Sequence, residues 1–350
     1  MNSRFLIDYD NPDAGIGHSM GIINRALKIA ARNNLDFAYS ESQLIKSHQD
    51  SLRWKIKQIL RTLRGKKRDE THNIGNDLNR MLSPKNLLVS REEIESRIRR
   101  GELKVIPLPE FEIHIPSNHQ VDDEVYSSID HFIQSHPESN VVFTISRNRF
   151  GDYEYKASRD WFIKAYTKAQ EQHPIPLKYE SSKVNIAIHI RRGDLLPSRQ
   201  FSDLSSRMLP DSWYLNVLQV VTAFSIEPIA IHIFSEGRNG QYISENGLPF
   251  SWQDHFKVTD FEVSEYIDAS FIDTFHHLLH ADILIGSKSG MSHLAGMLGE
   301  QIKIMPEMWH SYRGANKTLL LGNSITEAET SAITQHLAQN LLVLLRQAII

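Results

Sequence analysis

Short runs of Ile, Val and Phe alternate with amphipathic helical stretches along most of this chain, and that alternation constrains the fold more than any other feature. The apolar runs Phe5–Tyr9, Asp36–Tyr39, Val141–Ile145, Val184–Ile190, Ile229–Phe234, Ile283–Ile285 and Ile302–Met305 read as buried strands. Helical periodicity falls between them at about Ser19–Arg32, Ser158–Gln172, Ser212–Ala223, Asp268–His280 and Ser289–Leu298. Strands separated by helices return to their sheet through crossovers, so the pattern predicts parallel sheets made of βαβ units. At 350 residues the chain exceeds a single small core and suits two α/β domains. The stretch His173–Lys183 carries two prolines and little helical period, and marks a linker. This gives an N-terminal domain over 1–175 and a C-terminal domain over 180–325. A last helix over 326–350, with Leu337, Leu341, Leu344 and Leu345 on one face, is expected to pack back on them.

Composition narrows the function classes. With 41% hydrophobic and 23% charged residues and a formal net charge of -3, the chain resembles an ordinary soluble protein, and wholesale nucleic-acid binding is not expected. The absence of cysteine excludes disulfides, thiolate catalysis and cysteine metal sites, and fits a reducing compartment. No apolar run approaches the roughly 20 residues of a membrane-spanning helix, and Arg4–Tyr9 reads as a strand rather than a signal segment, so a cytoplasmic protein is expected. One segment breaks the neutral background. Over 46–68 the cations Arg53, Lys55, Lys57, Arg61, Arg64, Lys66 and Lys67 are opposed only by Asp50, with Leu52, Ile56, Ile59, Leu60 and Leu63 at helical spacing. Two readings stand: a basic face that makes peripheral contact with anionic lipid or an acidic acceptor, and a solvated helix packed on its own domain.

The strongest chemical signal is Ile186–Asp194, IAIHIRRGD, where a buried strand delivers His189, Arg191 and Arg192 to its C-terminal end. Ligands of open α/β sheets bind at that end. Arginine suits a diphosphate because its planar fork donates several hydrogen bonds and keeps its charge. Neighbouring residues on a strand face opposite ways, so both arginines can face one side only if the strand has ended, as Gly193 suggests. The alternative is a salt bridge at a strand end. Further on, Ser289-Gly290 follows a buried strand and opens a helix, whose N-terminus favours phosphate. His276 and His280 have a zinc-compatible spacing, but His277 lies on another face and no third ligand has an evident place, so no metal is expected. Trp309 and Tyr312 could line a cleft or close a core.

The run from His189 to Asp194 resembles the H-x-R-R-G-D signature of the α1,2-, α1,6- and protein O-fucosyltransferase superfamily. Gly15-Ile16-Gly17-His18-Ser19-Met20 is similar to that family's G-x-G-N-Q-M turn. Ala281–Leu298 (ADILIGSKSGMSHLAGML) resembles its strand-turn-helix segment, and Ile233-Phe234-Ser235-Glu236 its strand ending in Ser-Asp. The resemblance implies a GT-B fold: two Rossmann-like domains facing across a cleft, with no catalytic metal and no cofactor besides the donor. It implies an inverting transfer of fucose from GDP-fucose to a hydroxyl of a glycan or glycoconjugate acceptor. Arg191 would hold the β-phosphate with Arg192 assisting, and His189 and Asp282 would lie near the guanine. Ser287, Ser289, Gly290, Met291 and Ser292 would meet the diphosphate, with Gly15, Gly17, Ser235 and Glu236 completing the donor site.

The base that deprotonates the acceptor is less well defined. Some family members carry a glutamate seven residues after the second arginine, where this chain has Arg199. His18 replaces the asparagine of the glycine turn, and its imidazole could titrate near neutrality. It could equally hydrogen-bond the donor or cap a helix. Asp194 and Glu236 are the other candidates, Asp194 also being placed to orient its arginines. Two alternatives accompany the fucosyltransferase reading: a related GT-B transferase using another GDP-sugar, and a non-catalytic GDP-sugar-binding protein.

Overall fold

The computed structural model describes residues 3–9, 16–39, 80–83, 87–110, 123–145, 151–195, 206–224, 228–238, 240–256 and 261–347, without the side chains of Ile16, His18, Asp194 and residues 341–347. The basic segment 46–68 and Gly15 lie outside the described residues. The chain divides into two compact units, Met1–Pro174 with Trp309–Ser311, and Ile175–Met308 with Tyr312–Ile350.

The first unit is a parallel sheet of β1 (Arg4–Asp8), β2 (Asp36–Tyr39), β3 (Val89–Ser90), β4 (Lys104–Pro107) and β5 (Val141–Ile145), in the order β3-β2-β1-β5-β4. Its helices are α1 (Ile16–Arg32), α2 (Arg91–Arg99), α3 (Asp123–Gln134) and α4 (Arg159–Gln172). Part of its core gathers Phe5, Ile7, Ala38, Ile94, Leu103 and Val142. A polar knot fixes α1: Arg25 forms a buried ion pair with Asp8 at 2.5 Å, and Asn24 donates to the carbonyls of Asp152 and Glu154. The strand order reverses between β1 and β5, but the turns after them, 10–15 and 146–150, are outside the described residues.

The second unit is a six-stranded parallel sheet: β6 (Val184–Ile190), β7 (Ile229–Ser235), β10 (Glu262–Ile267), β11 (Ile283–Ile285), β12 (Ile302–Pro306) and β13 (Thr318–Leu321). A small antiparallel pair, β8 (Gly237–Arg238) and β9 (Gln241–Tyr242), follows β7. The sheet runs β10-β7-β6-β11-β12-β13. Counted by appearance within the sheet, this is 3-2-1-4-5-6, the order of Rossmann dinucleotide-binding folds. Helices α5 (Asp211–Phe224), α6 (Trp252–His255), α7 (Phe271–His280), α8 (Gly290–Leu298) and α9 (Glu327–Gln347) complete the unit. Ile186, Ile188 and Ile190 of β6 join Trp213, Val217 and Val221 of α5 in one buried cluster, the alternation that a sheet covered by helices imposes. Ile333 and Leu337 anchor α9, which packs on α5, β12 and β13. Both units are Rossmann-like, as the alternation of strands and helices predicts.

Candidate functional site

The second sheet reverses direction between β6 and β11, the topological switch point where open α/β sheets bind ligands at the carboxyl ends of their strands. Ile188 of β6 is level with Ile285 of β11, and Ile190 is level with Ser235 of β7. Arg191, Ser235-Glu236 and Gly286-Ser287 therefore leave the sheet along one edge. Gly286 leaves room there for the Met305 side chain of β12: a Cβ at this position would lie 2.3 Å from Met305 Cε and 3.3 Å from Ser292 Cβ.

The turn after β11 is held rigidly. Ser289 adopts an extended backbone at the N-cap of α8, and its hydroxyl accepts from Met291 N–H at 3.2 Å. Ser292 Oγ accepts from Ser287 N–H at 3.1 Å and lies 2.6 Å from His189 Nδ1, with Ser287 Oγ 3.2 Å from the same nitrogen. His189 is buried, and desolvation aided by the Arg191 charge lowers its pKa to about 3. The ring is thus neutral and clamps the turn to β6 through Nδ1. Among the described residues Gly290 N–H meets no acceptor, so the first turn of α8 presents an amide and the positive helix end to the sheet edge.

The two arginines part company. Arg191 is half-buried, and its Nη1 donates to Lys288 O at 3.2 Å, which ties it to the α8 turn. Arg192 points the other way. Its side chain is fully buried, Nη2 pairs with Asp211, Nη1 donates to Arg191 O at 3.1 Å, and the guanidinium lies 5.7 Å from the Tyr242 ring centre. Asp211 also accepts from the Tyr242 hydroxyl. Burial lifts the Asp211 carboxyl to about 6, helped by its hydrogen bond with Glu245 and opposed by Arg192. The expected phosphate contact from Arg192 is thus corrected: with no exposed surface and a carboxylate partner, this residue belongs to the framework beneath the edge.

Two further expectations change. Asp282 precedes β11 and is level with Asn185, whose N–H it accepts at 2.8 Å. That is five residues down β6 from Ile190, roughly 16 Å at strand rise. Asp282 staples the amino edge of the sheet and does not meet a ligand at the carboxyl edge. The Ser235 hydroxyl is occupied as well, donating to Ile190 O at 2.7 Å. Glu236 stays on the rim, exposed, with Oε2 accepting from Arg192 N–H at 3.2 Å. A Cβ at Gly193 would lie 2.9 Å from its other oxygen, so the glycine makes room for this carboxylate. Gly17 lies in the first turn of α1, in the other unit. Gly15 and the side chains of His18 and Asp194 are outside the described residues.

Sequence reasoning passed over Lys288, between the two serines of the turn. It is 8% exposed, and its Nζ donates to Asn323 Oδ1 at 2.6 Å. A cation in a turn between a buried strand and a helix start was the signal available. The His276 and His280 rings lie 4.7 Å apart, tilted by 59°, and among the described residues no group of three or more His, Asp or Glu could hold a metal. Tyr312 is buried against His293, closing a core rather than lining an open surface.

The fold and this edge define a Rossmann-like unit whose switch point is bordered by the Arg191 guanidinium and the start of α8. No protein-family model matches the chain, and a search of curated proteins finds no relative. Among solved structures, POFUT1 in complex with GDP-fucose superposes with a TM-score of 0.42 at 9% identity, over 86% of this chain and 96% of that one. The E. coli heptosyltransferase WaaC with ADP gives 0.37 at 12% identity, over 96% and 99% of the two chains. The iron-containing dodecameric glycosyltransferase TibC of enterotoxigenic E. coli H10407 gives 0.41 at 9% identity, over 97% and 77%. Likeness of this degree does not define a family.

Proposed function

We propose that this chain is an inverting, metal-independent GT-B glycosyltransferase that takes its sugar from a nucleoside diphosphate, with GDP-fucose as donor and a glycan or glycoconjugate hydroxyl as acceptor. The observation that carries the reading is the switch point itself. A 3-2-1-4-5-6 sheet brings Arg191 and the capped start of α8 to the two strands between which the order reverses. The choice of guanine and fucose rests on the resemblance of His189–Asp194 to the fucosyltransferase signature.

In this reading the diphosphate lies over the α8 turn. Breaking the sugar–phosphate bond leaves negative charge on the diphosphate, and a fixed guanidinium and helix-end amide stabilise it as it develops. His189 acts indirectly, by holding Ser287 and Ser292 so that the turn does not rearrange during the reaction. Glu236 sits on the rim with an exposed carboxylate, where an acceptor proton could be received. Peripheral contact of segment 46–68 with anionic lipid remains part of the proposal for the acceptor. Among the described residues no helix is long and apolar enough to cross a membrane.

The test is GDP release from GDP-fucose, GDP-mannose and an ADP-sugar, in EDTA, with and without glycan acceptors. Acceptor-dependent release from GDP-fucose in EDTA is expected. Release that needs magnesium contradicts the metal-independent reading. Tight GDP binding without turnover on any acceptor would identify a binding protein instead.

A further inference from the structure

We infer that Lys288 is the second cationic ligand of the diphosphate, filling the role that the sequence pattern assigns to Arg192. The inference rests on the proposed nucleotide-sugar reading, and three observations carry it.

The first is an uncompensated charge. The Lys288 residue is largely buried and its ammonium partly so, yet among the described residues that ammonium has one hydrogen bond, to the neutral amide oxygen of Asn323, and no carboxylate within ion-pair distance. Three other buried or nearly buried cations have such partners, Arg25 with Asp8, Lys28 with Asp152 and Arg192 with Asp211, while the fully buried Lys303 donates to the Asn316 carbonyl. A buried ammonium without an anion is costly, and folded proteins rarely keep one unless a ligand supplies the missing charge. Burial lowers the Lys288 pKa, with Glu307 pulling weakly the other way.

The second is position. Lys288 belongs to the turn between β11 and α8, its carbonyl holds Arg191, and the unpaired Gly290 amide is two residues further on. Arg191 approaches this turn from the end of β6. The Lys288 side chain leaves it toward Asn323, which follows β13. The sheet order places β6 on one side of β11 and β12-β13 on the other, so the two cations border the helix start from opposite flanks. A diphosphate carries two anionic groups and suits two flanking cations better than one.

The third is the loss of the alternative. Arg192 is sealed beneath the edge against Asp211 and cannot reach a ligand there. One guanidinium and one helix end would otherwise face a diphosphate alone.

The experiment titrates GDP and inorganic pyrophosphate, by calorimetry in EDTA, into wild type, Lys288→Met and Lys288→Arg. Unfolding midpoints are recorded with and without ligand. Lys288→Met should weaken both ligands about tenfold or more, the scale of a lost charge-assisted hydrogen bond, while Lys288→Arg keeps most of the affinity. Without ligand the Met variant should unfold no earlier than wild type, since it removes a desolvated charge and keeps the packing volume. A residue with a merely structural role would instead lower the ligand-free midpoint and leave the affinities of the folded protein alone. Equal affinities in wild type and Lys288→Met overturn the inference and leave the donor reading standing. Binding of pyrophosphate but not GDP by wild type, lost in Lys288→Met, would uphold the anion site and overturn the nucleotide reading. No binding of either ligand by wild type overturns both.

Discussion

The backbone leaves β6 at Ile190, and the two arginines that follow separate at once, Arg191 toward the α8 turn and Arg192 into the interior against Asp211. Their replacement should therefore fail in different ways. Arg192→Met strands Asp211 and Glu245 near each other without their cation, and removing one partner of a buried pair typically costs about 3–5 kcal/mol. Because burial already holds the Asp211 carboxyl at about 6, protonation offsets part of that cost, and the lower end of the range is expected. Urea unfolding measures it, and adding Asp211→Asn should recover part of the loss. If Arg192→Met unfolds like wild type but loses GDP affinity, Arg192 is a ligand after all. The IAIHIRRGD run marked the right strand end, because an apolar strand closed by a glycine is a local pattern. It could not divide the labour between the arginines, since Asp211 lies 19 positions further along the chain. The place of Asp282 was legible by the same logic, because a residue that precedes a parallel strand lies at the amino edge of the sheet.

Helix α7 and the strands beneath it hold four histidines, His232 of β7 with His276, His277 and His280. Tyr179, Tyr266 and Phe234 pack among them, and Lys178, Lys183, Glu262, Asp273 and Asp282 are the charged groups nearby. His277 shows why these rings stay neutral. Its Nδ1–H donates to Asp273 O at 2.7 Å, and its Nε2 accepts from Lys178 N–H at 3.1 Å, which a protonated ring cannot do. Burial lowers all four pKa values, those of His232 and His276 to about 4. The unfolded chain takes up these protons near pH 6.5, while the folded unit resists, His232 and His276 until about pH 4. The stability contribution is therefore fully present above about pH 6.5 and lost progressively as the pH falls toward 4. The urea midpoint should drop across that interval, and His232→Gln should flatten the drop. A midpoint equally steep in the variant would show that His232 does not contribute. At this scale the sequence read central strands well and edge strands poorly. β3, β4, β10 and β13 were all missed, and each is an edge strand of its sheet. An edge strand has a neighbour on one side only, so it tolerates the charges of Glu262–Ile267 and the proline of Lys104–Pro107, and these two strands show no continuous apolar run.

At the scale of the whole molecule, two Rossmann-like units follow one another in the chain, and the division falls between Pro174 and Ile175. The alternating pattern was enough to read two α/β units, because each helix and strand declares itself within about ten residues. The candidate edge was half legible. Its strand end and helix cap lie in contiguous motifs, whereas the Arg191–Lys288 contact and the His189 clamp join positions about a hundred residues apart and appear only when β6 and β11 pair. The central claim is that this paired edge binds the diphosphate of a guanine nucleotide through Arg191. The direct measurement is a calorimetric titration of GDP, in EDTA, into wild type and Arg191→Ala, with both unfolding midpoints checked. The account predicts saturable binding to wild type and a loss of roughly 10- to 100-fold in affinity for Arg191→Ala, with the midpoint nearly unchanged. Equal GDP affinity in the two proteins would contradict it and make Arg191 a structural residue.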